Sequence, residues 1–434
     1  MKVLVIGSGG REHALAHTFS RQGHRVYCLP GNAGTASFCE PLKKKIDPQD
    51  LEALAAYAEE EGIALTAVGP EAYLERGIAD LFEARGLPLF GPLKEAAKLE
   101  SSKAFSKKFM TDNGIPTARF AACSSSVEAK KAVEENFPLW GGAVIKPSGL
   151  TAGKGVIPCR TLQEAMAAIE EIMDKRVYGE AGAEVVIEEL LVGKEVSLMA
   201  FGDGKKFVPM IPAQDHKRLY DGGQGPNTGG VGAYTPTPFL DEEMTERLQK
   251  GILDRTAEGL LQEKIVYRGV LYVGVMLTKS GPKVLEYNCR FGDPEAQTIL
   301  PLLEGDLAGI MLGCCRGELD PSLVKWKSGA SCCVVMVSRG YPKSYKSGYP
   351  IAGLEEAEKE GALVFHAGTA LNGSGGAVTS GGRVLGVTAL AGSLEEAIVR
   401  AYGAAEKISF NGAFYRKDIG SQARSAIPET ALAS

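Results

Sequence analysis

Five polar residues crowd one short stretch of this 434-residue chain: Glu286, Asn288, Arg290, Asp293 and Glu295. Residues 270–277 and 283–288 are β-rich, and the Lys279-Ser-Gly-Pro282 turn between them predicts a two-stranded hairpin. Side chains alternate along a strand, so Glu286, Asn288 and, if the strand runs on, Arg290 share one face. A carboxylate beside a carboxamide oxygen suits a hard divalent ion that leaves some of its positions to phosphate oxygens. An arginine next in line can neutralise the charge that builds during phosphoryl transfer. Three alternating polar residues alone would fit a solvated edge strand equally well. Gly292 and Pro294 tip the reading, because they force a tight turn that carries Asp293 and Glu295 to the same strand end.

The rest of the chain must position that strand. Its length suggests roughly three domains, and its composition is that of an ordinary soluble enzyme. A net charge of −5 without a basic run argues against a nucleic-acid binder. Glycine is abundant at 54 residues, and it falls in short blocks between apolar runs, as phosphate-cradling loops require. Nine cysteines form no CxxC pair, and Cys332-Cys333 sits in an apolar, strand-like run, so a reducing compartment is expected. The apolar run at residues 1–6 is too short for a signal peptide, and no run reaches the ~20 residues of a spanning helix. A soluble cytoplasmic protein, acting on small molecules rather than nucleic acid or membrane, is the expectation.

Residues 2–6 read as a buried strand, Gly7-Ser-Gly-Gly-Arg-Glu12 as the turn into a helix near His13, and residues 25–29 as the second strand of a βαβ unit. The dinucleotide fingerprint fails, since Glu12 stands where its last glycine belongs and no acidic residue ends the second strand. What remains is a glycine turn at a helix N-terminus with Arg11 beside it, a general anion site. Further strands are expected at 65–68 and 87–90, with Gly69-Pro-Glu71 as a loop at a strand's C-terminal end. A helix begins at Lys103. A strand at 143–146 then ends in Lys146, and a glycine-rich loop carrying Lys154 follows. It is not a Walker A loop, yet two lysines flanking open backbone N–H groups make a phosphate clamp. Residues 185–191 enter a turn as Glu188-Glu189-Leu-Leu191, a plausible adenine edge. Asp215-His-Lys-Arg218 and residues 225–236 are expected to form a long functional loop, and residues 241–263 a helix. Strands at 331–338, 363–367 and 384–391 with a helix at 394–407 make a third domain, and the tail from Ser421 is expected to fray. The expected fold is α/β and α+β multidomain: an open parallel α/β sheet (1–102), a central domain (103–324) and a C-terminal α+β domain (325–434).

Taken in order, the motifs resemble the phosphoribosylamine–glycine ligase family of the ATP-grasp superfamily, from about Met1 to Gly420. The resemblance rests on Gly7-Ser-Gly-Gly-Arg-Glu-His-Ala14, Pro30-Gly-Asn-Ala-Gly-Thr35, Lys146-Pro-Ser-Gly-Leu-Thr-Ala-Gly-Lys-Gly155, Asp215-His-Lys-Arg218, Gly225-Pro-Asn-Thr-Gly-Gly230, Asn288-Cys-Arg-Phe-Gly-Asp-Pro-Glu295, His366-Ala-Gly-Thr369 and Phe410-Asn-Gly-Ala-Phe-Tyr-Arg-Lys-Asp-Ile419. It implies an ATP-grasp central domain and a reaction of ATP, glycine and 5-phosphoribosylamine through glycyl phosphate to glycinamide ribonucleotide, ADP and phosphate. By the same resemblance, Lys103, Lys146 and Lys154 hold ATP phosphates, Glu188, Glu189 and Leu191 meet adenine, and Glu195 its ribose. Glu286 and Asn288 take Mg2+ or Mn2+. Arg290 lies near the transferring group or the glycine carboxylate, and Asp215 receives the glycine amine. Gly9, Gly10, Arg11, Asn32 and Glu71 form the phosphoribosylamine side, with Asp293 among the substrate contacts. Lys146, Asp215 and Arg290 are the expected catalytic residues, in a monomer. The chain departs from the family pattern at Tyr73-Leu-Glu-Arg76 and at Val231, away from the phosphate and metal residues. Another ATP-grasp carboxylate–amine ligase or carboxylase of purine metabolism is the alternative, and it would lack Asp215-His-Lys-Arg218.

Overall fold

The computed structural model describes residues 1–151, 153 and 155–424. The Lys2–Gly7 strand is apolar on both faces: Val3 and Val5 pack into one cluster, Leu4 and Ile6 into another. A parallel strand covered on both sides requires that pattern. The sheet runs Arg25–Pro30, Lys2–Gly7, Leu65–Val68, Leu89–Phe90, parallel throughout. The helix expected near His13 begins at Gly10 and ends at Arg21.

Two antiparallel four-stranded sheets follow. One runs Phe120–Cys123, Val185–Glu189, Ala143–Pro147, Ile157–Cys159. The other runs Phe207–Pro209, Lys194–Asp203, Arg268–Thr278, Gly281–Asn288. The expected hairpin is present, with one irregularity: Gly274 faces Glu286 whereas Val275 faces Val284. Leu285 is therefore the extra residue of a bulge, which bends the strand and re-aims its end. Val284 and Tyr287 turn inward to the core, leaving Glu286 and Asn288 on the other side. The helical path expected over 241–263 comes in three pieces, Glu242–Leu248, a wider turn at Gln249–Asp254, and Arg255–Gln262.

In the last sheet, Ala330–Ser338 is flanked by Arg383–Ala391, then Leu363–His366. The Leu394–Ala405 helix buries Ala397, Ala401, Ala404 and Ala405 against it. One expectation is corrected here. Residues 225–236 are not all loop: Gly232–Thr235 is a fully buried strand paired with Ala330–Ser338, and Gln214–Asp215 pairs with it in turn. Gly232 is needed because a Cβ there would lie 2.6 Å from Ile419 Cδ1, so the glycine that suggested a loop marks close packing instead. The tail differs too. Ser421–Arg424 forms a helical turn with Ala423 buried, while residues 425–434 lie outside the described residues. All nine cysteines are free. Among the described residues no helix is long and apolar enough to cross a membrane.

Candidate functional site

The two central sheets line a cavity of about 1070 Å3, to which Arg11, Pro70 and Glu71 from the N-terminal domain and Asp215 and Arg383 from the last sheet also contribute. Lys103, Lys146, Glu188, Glu189, Leu191, Glu195, Asp215, Glu286, Asn288, Arg290, Asp293, Arg11 and Glu71 all line it. Gly9, Gly10 and Asn32 are not in its wall. Lys154 lies outside the described residues.

One end is rich in ammonium groups. Ser102 caps the Lys103–Asp112 helix by accepting from the Phe105 N–H, and Lys103 and Lys107, four apart, share the helix face turned to the cavity. Lys103 Nζ donates to the Gly149 carbonyl (3.0 Å), tying the helix to the glycine loop. Lys107 and Lys146 hold the two oxygens of Glu188, at 2.9 and 2.6 Å. Lys146 also donates to the carbonyl of Leu285, the bulged residue (3.3 Å). Burial alone would push the Glu188 carboxyl up, yet the two lysines hold it below its ordinary value. Glu189 is committed as well, to Arg119 (2.8 Å) and Lys283 (2.6 Å). Both carboxylates thus have cation partners, and their contribution to the cavity is to order lysines around it.

Lys217 links the next two acids, 2.7 Å from Glu195 and 3.3 Å from Glu286. Burial opposes ionisation of Glu286, but Lys217, Lys146 and Lys103 pull its pKa to about 2. An ionised carboxylate and the Asn288 amide oxygen form a hard donor set, and among the described residues no cluster of three or more His, Cys, Asp or Glu could hold a metal alone. Glu286 Oε1 lies near Lys217 and Asn288 Oδ1 accepts from Arg290, so Mg2+ or Mn2+ bound here would use the remaining lone pairs of these oxygens and complete its shell with phosphate oxygens and water.

Two residues beyond Asn288, Arg290 is gripped by three side chains: Glu100 Oε1 (3.0 Å), Glu71 Oε2 (3.4 Å) and Asn288 Oδ1 (2.9 Å). Glu100 also accepts from the Cys289 N–H (2.7 Å). Its burial outweighs the Arg290 ion pair and raises its pKa to about 7. Glu71 goes the other way: Arg290 and Arg11 overcome its burial and hold it below its ordinary value. Asp293 is bound by Gln297 Nε2 (2.6 Å) and by Arg383 (3.3 Å), which also donates to the Gly229 carbonyl (2.7 Å).

Asp215 stands apart. Its Oδ1 is buried and finds no hydrogen-bond partner among the described residues. Burial and the neighbouring Glu295 raise its pKa well above the usual carboxylate range. A Cβ on Gly230 would lie 2.7 Å from that oxygen, and the φ of +109° there already excludes most side chains. A buried carboxyl oxygen without a partner is an unsatisfied polar group, and a cation placed beside it would favour the ionised form.

The glycine turn at residues 7–12 has two of its donors committed within itself. The Gly9 N–H and Arg11 Nε both donate to the Glu12 carboxylate, so the helix N-terminus already holds an anion of its own. A Cβ at Gly69 would overlap that carboxylate, and one at Gly10 would overlap Gln297. Asn32 is likewise spent: its amide donates to the Ser8 and His366 carbonyls and accepts from the Gly34 and Thr35 N–H groups. Arg11 does reach the cavity, donating to the Phe291 carbonyl (3.1 Å). Sequence reasoning missed Lys107, Lys217, Glu100, Glu12 and Arg383. Lys107 was signalled by its spacing from Lys103, and Lys217 by lying two residues from Asp215. Glu100 and Arg383 gave no local signal, since elements remote in sequence bring them in.

Three domain models of phosphoribosylglycinamide synthetase match in succession: the N domain over residues 1–100, the ATP-grasp (A) domain over 101–296 and the C domain over 331–422. The chain belongs to the phosphoribosylglycinamide synthetase family. A phosphoribosylamine–glycine ligase from Halalkalibacterium halodurans is 47% identical over 437 residues, covering 100% of this chain and 99% of that protein. The trifunctional purine biosynthetic protein adenosine-3 of Drosophila melanogaster is 48% identical over 431 residues, but the matched part is 97% of this chain and 32% of that protein. The chain thus spans about a third of that relative's length. Among solved structures, phosphoribosylamine–glycine ligase from Thermotoga maritima superposes with a TM-score of 0.83 at 36% identity, covering 96% of this chain and 100% of that one.

Proposed function

We propose that the chain is an ADP-forming ligase that joins glycine to 5-phosphoribosylamine at the cost of ATP, giving glycinamide ribonucleotide in purine biosynthesis. The observation that carries this reading is the single cavity, where ammonium groups, an ionised Glu286 beside Asn288, and the open carboxylate oxygen of Asp215 meet. ATP and an amino acid need those three features side by side. Full-length identity to proteins named for this reaction supports it.

In this mechanism Lys103 and Lys146, with Lys154 of the glycine loop, hold the phosphate chain. The segment through Glu188, Glu189 and Leu191 borders adenine, and Glu195 faces the ribose. Glu286 and Asn288 hold Mg2+ or Mn2+, which when bound would draw charge from the phosphate oxygens. Asp215 receives the glycine ammonium, so the carboxylate of glycine points back toward the γ-phosphate. Arg290, fixed by Glu71 and Glu100, balances the charge of the transferring phosphoryl group. A carboxylate oxygen of glycine takes the γ-phosphoryl group as the bond to ADP breaks; the amine of phosphoribosylamine then attacks the acyl carbon of glycyl phosphate, the carbon–nitrogen bond forms, phosphate leaves and the amine gives up a proton. Arg11, Glu71 and Asp293 face that substrate. Gly9, Gly10 and Asn32 act on the same side by shape, as the turn that seats Arg11. Residues 1–102 supply the phosphoribosylamine side, 103–324 the ATP side, and 325–434 the wall that carries Arg383. A cytoplasmic monomer completes the reading.

The test is phosphate release from ATP with magnesium, adding glycine and freshly generated phosphoribosylamine separately and together. Release that needs both, with glycinamide ribonucleotide formed one for one, is the expected result. Release driven by another carboxylate would reassign the substrate.

A further inference from the structure

Lys107 is the most buried cation of the cavity wall, and the mechanism above gives it no task. Its side chain is 2% exposed, that of Glu188 2% and that of Lys146 6%. Burying a charge is costly unless it is paired. A simple neutralising pair would need only Lys146 and Glu188. Here each carboxylate oxygen has its own ammonium, and Thr117 Oγ1 accepts a further hydrogen bond from Lys107 (2.7 Å). The three groups carry one net positive charge. Lys107 is held from behind, by a threonine on the segment leading out of its own helix, whereas Lys146 sits at the end of the Ala143–Pro147 strand, where the glycine loop departs.

We infer that Lys107 is a positioning residue for nucleotide phosphate: it neutralises Glu188 so that the charge of Lys146 stays available to the phosphate chain. Without it, Lys146 and Glu188 would form a closed neutral pair, and phosphate would have to compete with a buried carboxylate for the same ammonium. Glu188 in turn fixes where Lys146 points, which a lysine's flexible stem would not do alone. The inference rests on the ATP reading of this cavity, so its test reads nucleotide binding directly and needs neither glycine nor phosphoribosylamine.

The experiment measures ATP, ADP and adenosine affinity by titration calorimetry on the full chain, for the unaltered protein, Lys107→Met and the charge-keeping variant Lys107→Arg. Lys107→Met is expected to weaken ATP and ADP by about tenfold or more, the scale of a lost charge-assisted phosphate contact, while adenosine is unaffected. Lys107→Arg keeps the positive charge beside Glu188 and is expected to hold ATP affinity within about threefold of the unaltered protein. Unchanged ATP affinity in Lys107→Met would overturn the inference, and so would a Lys107→Arg variant as weak as Lys107→Met, since that would make Lys107 a packing residue. If Lys107→Met fails to fold, Lys107→Gln, a neutral side chain that can still donate to Thr117 and Glu188, takes its place with the same two readings. An unaltered protein that binds no ATP would instead sink the ATP reading on which the inference stands.

Discussion

Two glycine turns bearing an arginine, at residues 7–12 and 288–295, touch each other yet end in opposite states. In the first, the Gly9 N–H and Arg11 Nε are consumed by Glu12, and the glycines are packed so closely that a Cβ would collide. In the second, Arg290 and Asp293 keep their partners on the wall of a cavity, next to an Asp215 oxygen with none. A helix N-terminus with glycines and an arginine becomes an anion site only if donors are left over. At residues 7–12 two further donors, the Arg11 backbone N–H and Arg11 Nη1, go to Asp293 and the Phe291 carbonyl of the second turn. The first turn therefore buttresses the second, and substitutions should separate the two: loss of chemistry in one, loss of stability in the other.

The largest effect is expected at Glu286. Glu286→Gln removes the ionised donor while leaving Lys217 its ion pair with Glu195, so the fold should survive. Turnover should fall by about a hundredfold or more, the scale on which a single electrostatic group of a transition state is felt. Steady-state rates across a magnesium series check this. Full activity with a normal magnesium dependence would remove the metal role.

Arg290→Ala comes next and tests whether the second turn is purely chemical. Turnover is expected to drop by about a hundredfold with the ATP KM within about threefold, as for a group felt mainly in the transition state. Because Glu100 and Glu71 lose their shared partner, a lower Tm should accompany it. A raised ATP KM at unchanged turnover would place Arg290 in ground-state binding instead.

How these turns were legible differs in the same way. The strand carrying Glu286 and Asn288 could be read from alternation alone, because a period of two is a local property. The bulge at Leu285, which presents a carbonyl to Lys146, could not, since nothing local distinguishes Leu285 from the apolar Val284 beside it. The parallel sheet was legible for the same local reason, as continuous apolar runs between glycine turns. Gly232–Thr235 was not, because its partner strand lies about a hundred residues away and pairing over such separations leaves no local trace. Glu12 illustrates the hardest case. It was visible as the residue that breaks a dinucleotide fingerprint, but that its carboxylate would fill the vacated anion site needed the geometry.

A smaller effect sharpens the electrostatic side of the comparison. Glu100 has a folded pKa of about 7 against an ordinary 4.5, so the folded state binds that proton more tightly than the unfolded chain. Its stabilising contribution is complete below pH 4.5 and is lost as pH rises through about 7. The full loss is on the order of 3 kcal/mol. Denaturant titrations between pH 5 and 8 should show stability falling more steeply with pH in the unaltered protein than in Glu100→Gln. Equal slopes would mean that Arg290 keeps Glu100 ionised throughout.

The smallest effect on catalysis is expected at Asn32, and it decides which side of the comparison that residue belongs to. Its side chain makes four hydrogen bonds, two holding its own loop and two reaching the Ser8 and His366 carbonyls. Asn32→Ala should therefore cost about 2 kcal/mol of stability, less than four full bonds because water can replace the exposed ones. The KM for phosphoribosylamine should stay within about twofold, since Asn32 lines no part of the cavity and uniform binding loss would raise it. Thermal melting and substrate kinetics on the same preparation separate the outcomes. A KM for phosphoribosylamine that rises tenfold while Tm holds would show that the substrate itself takes over those hydrogen bonds. The first turn would then open in the working enzyme, and the contrast between a spent turn and an open one would describe only the state without substrate.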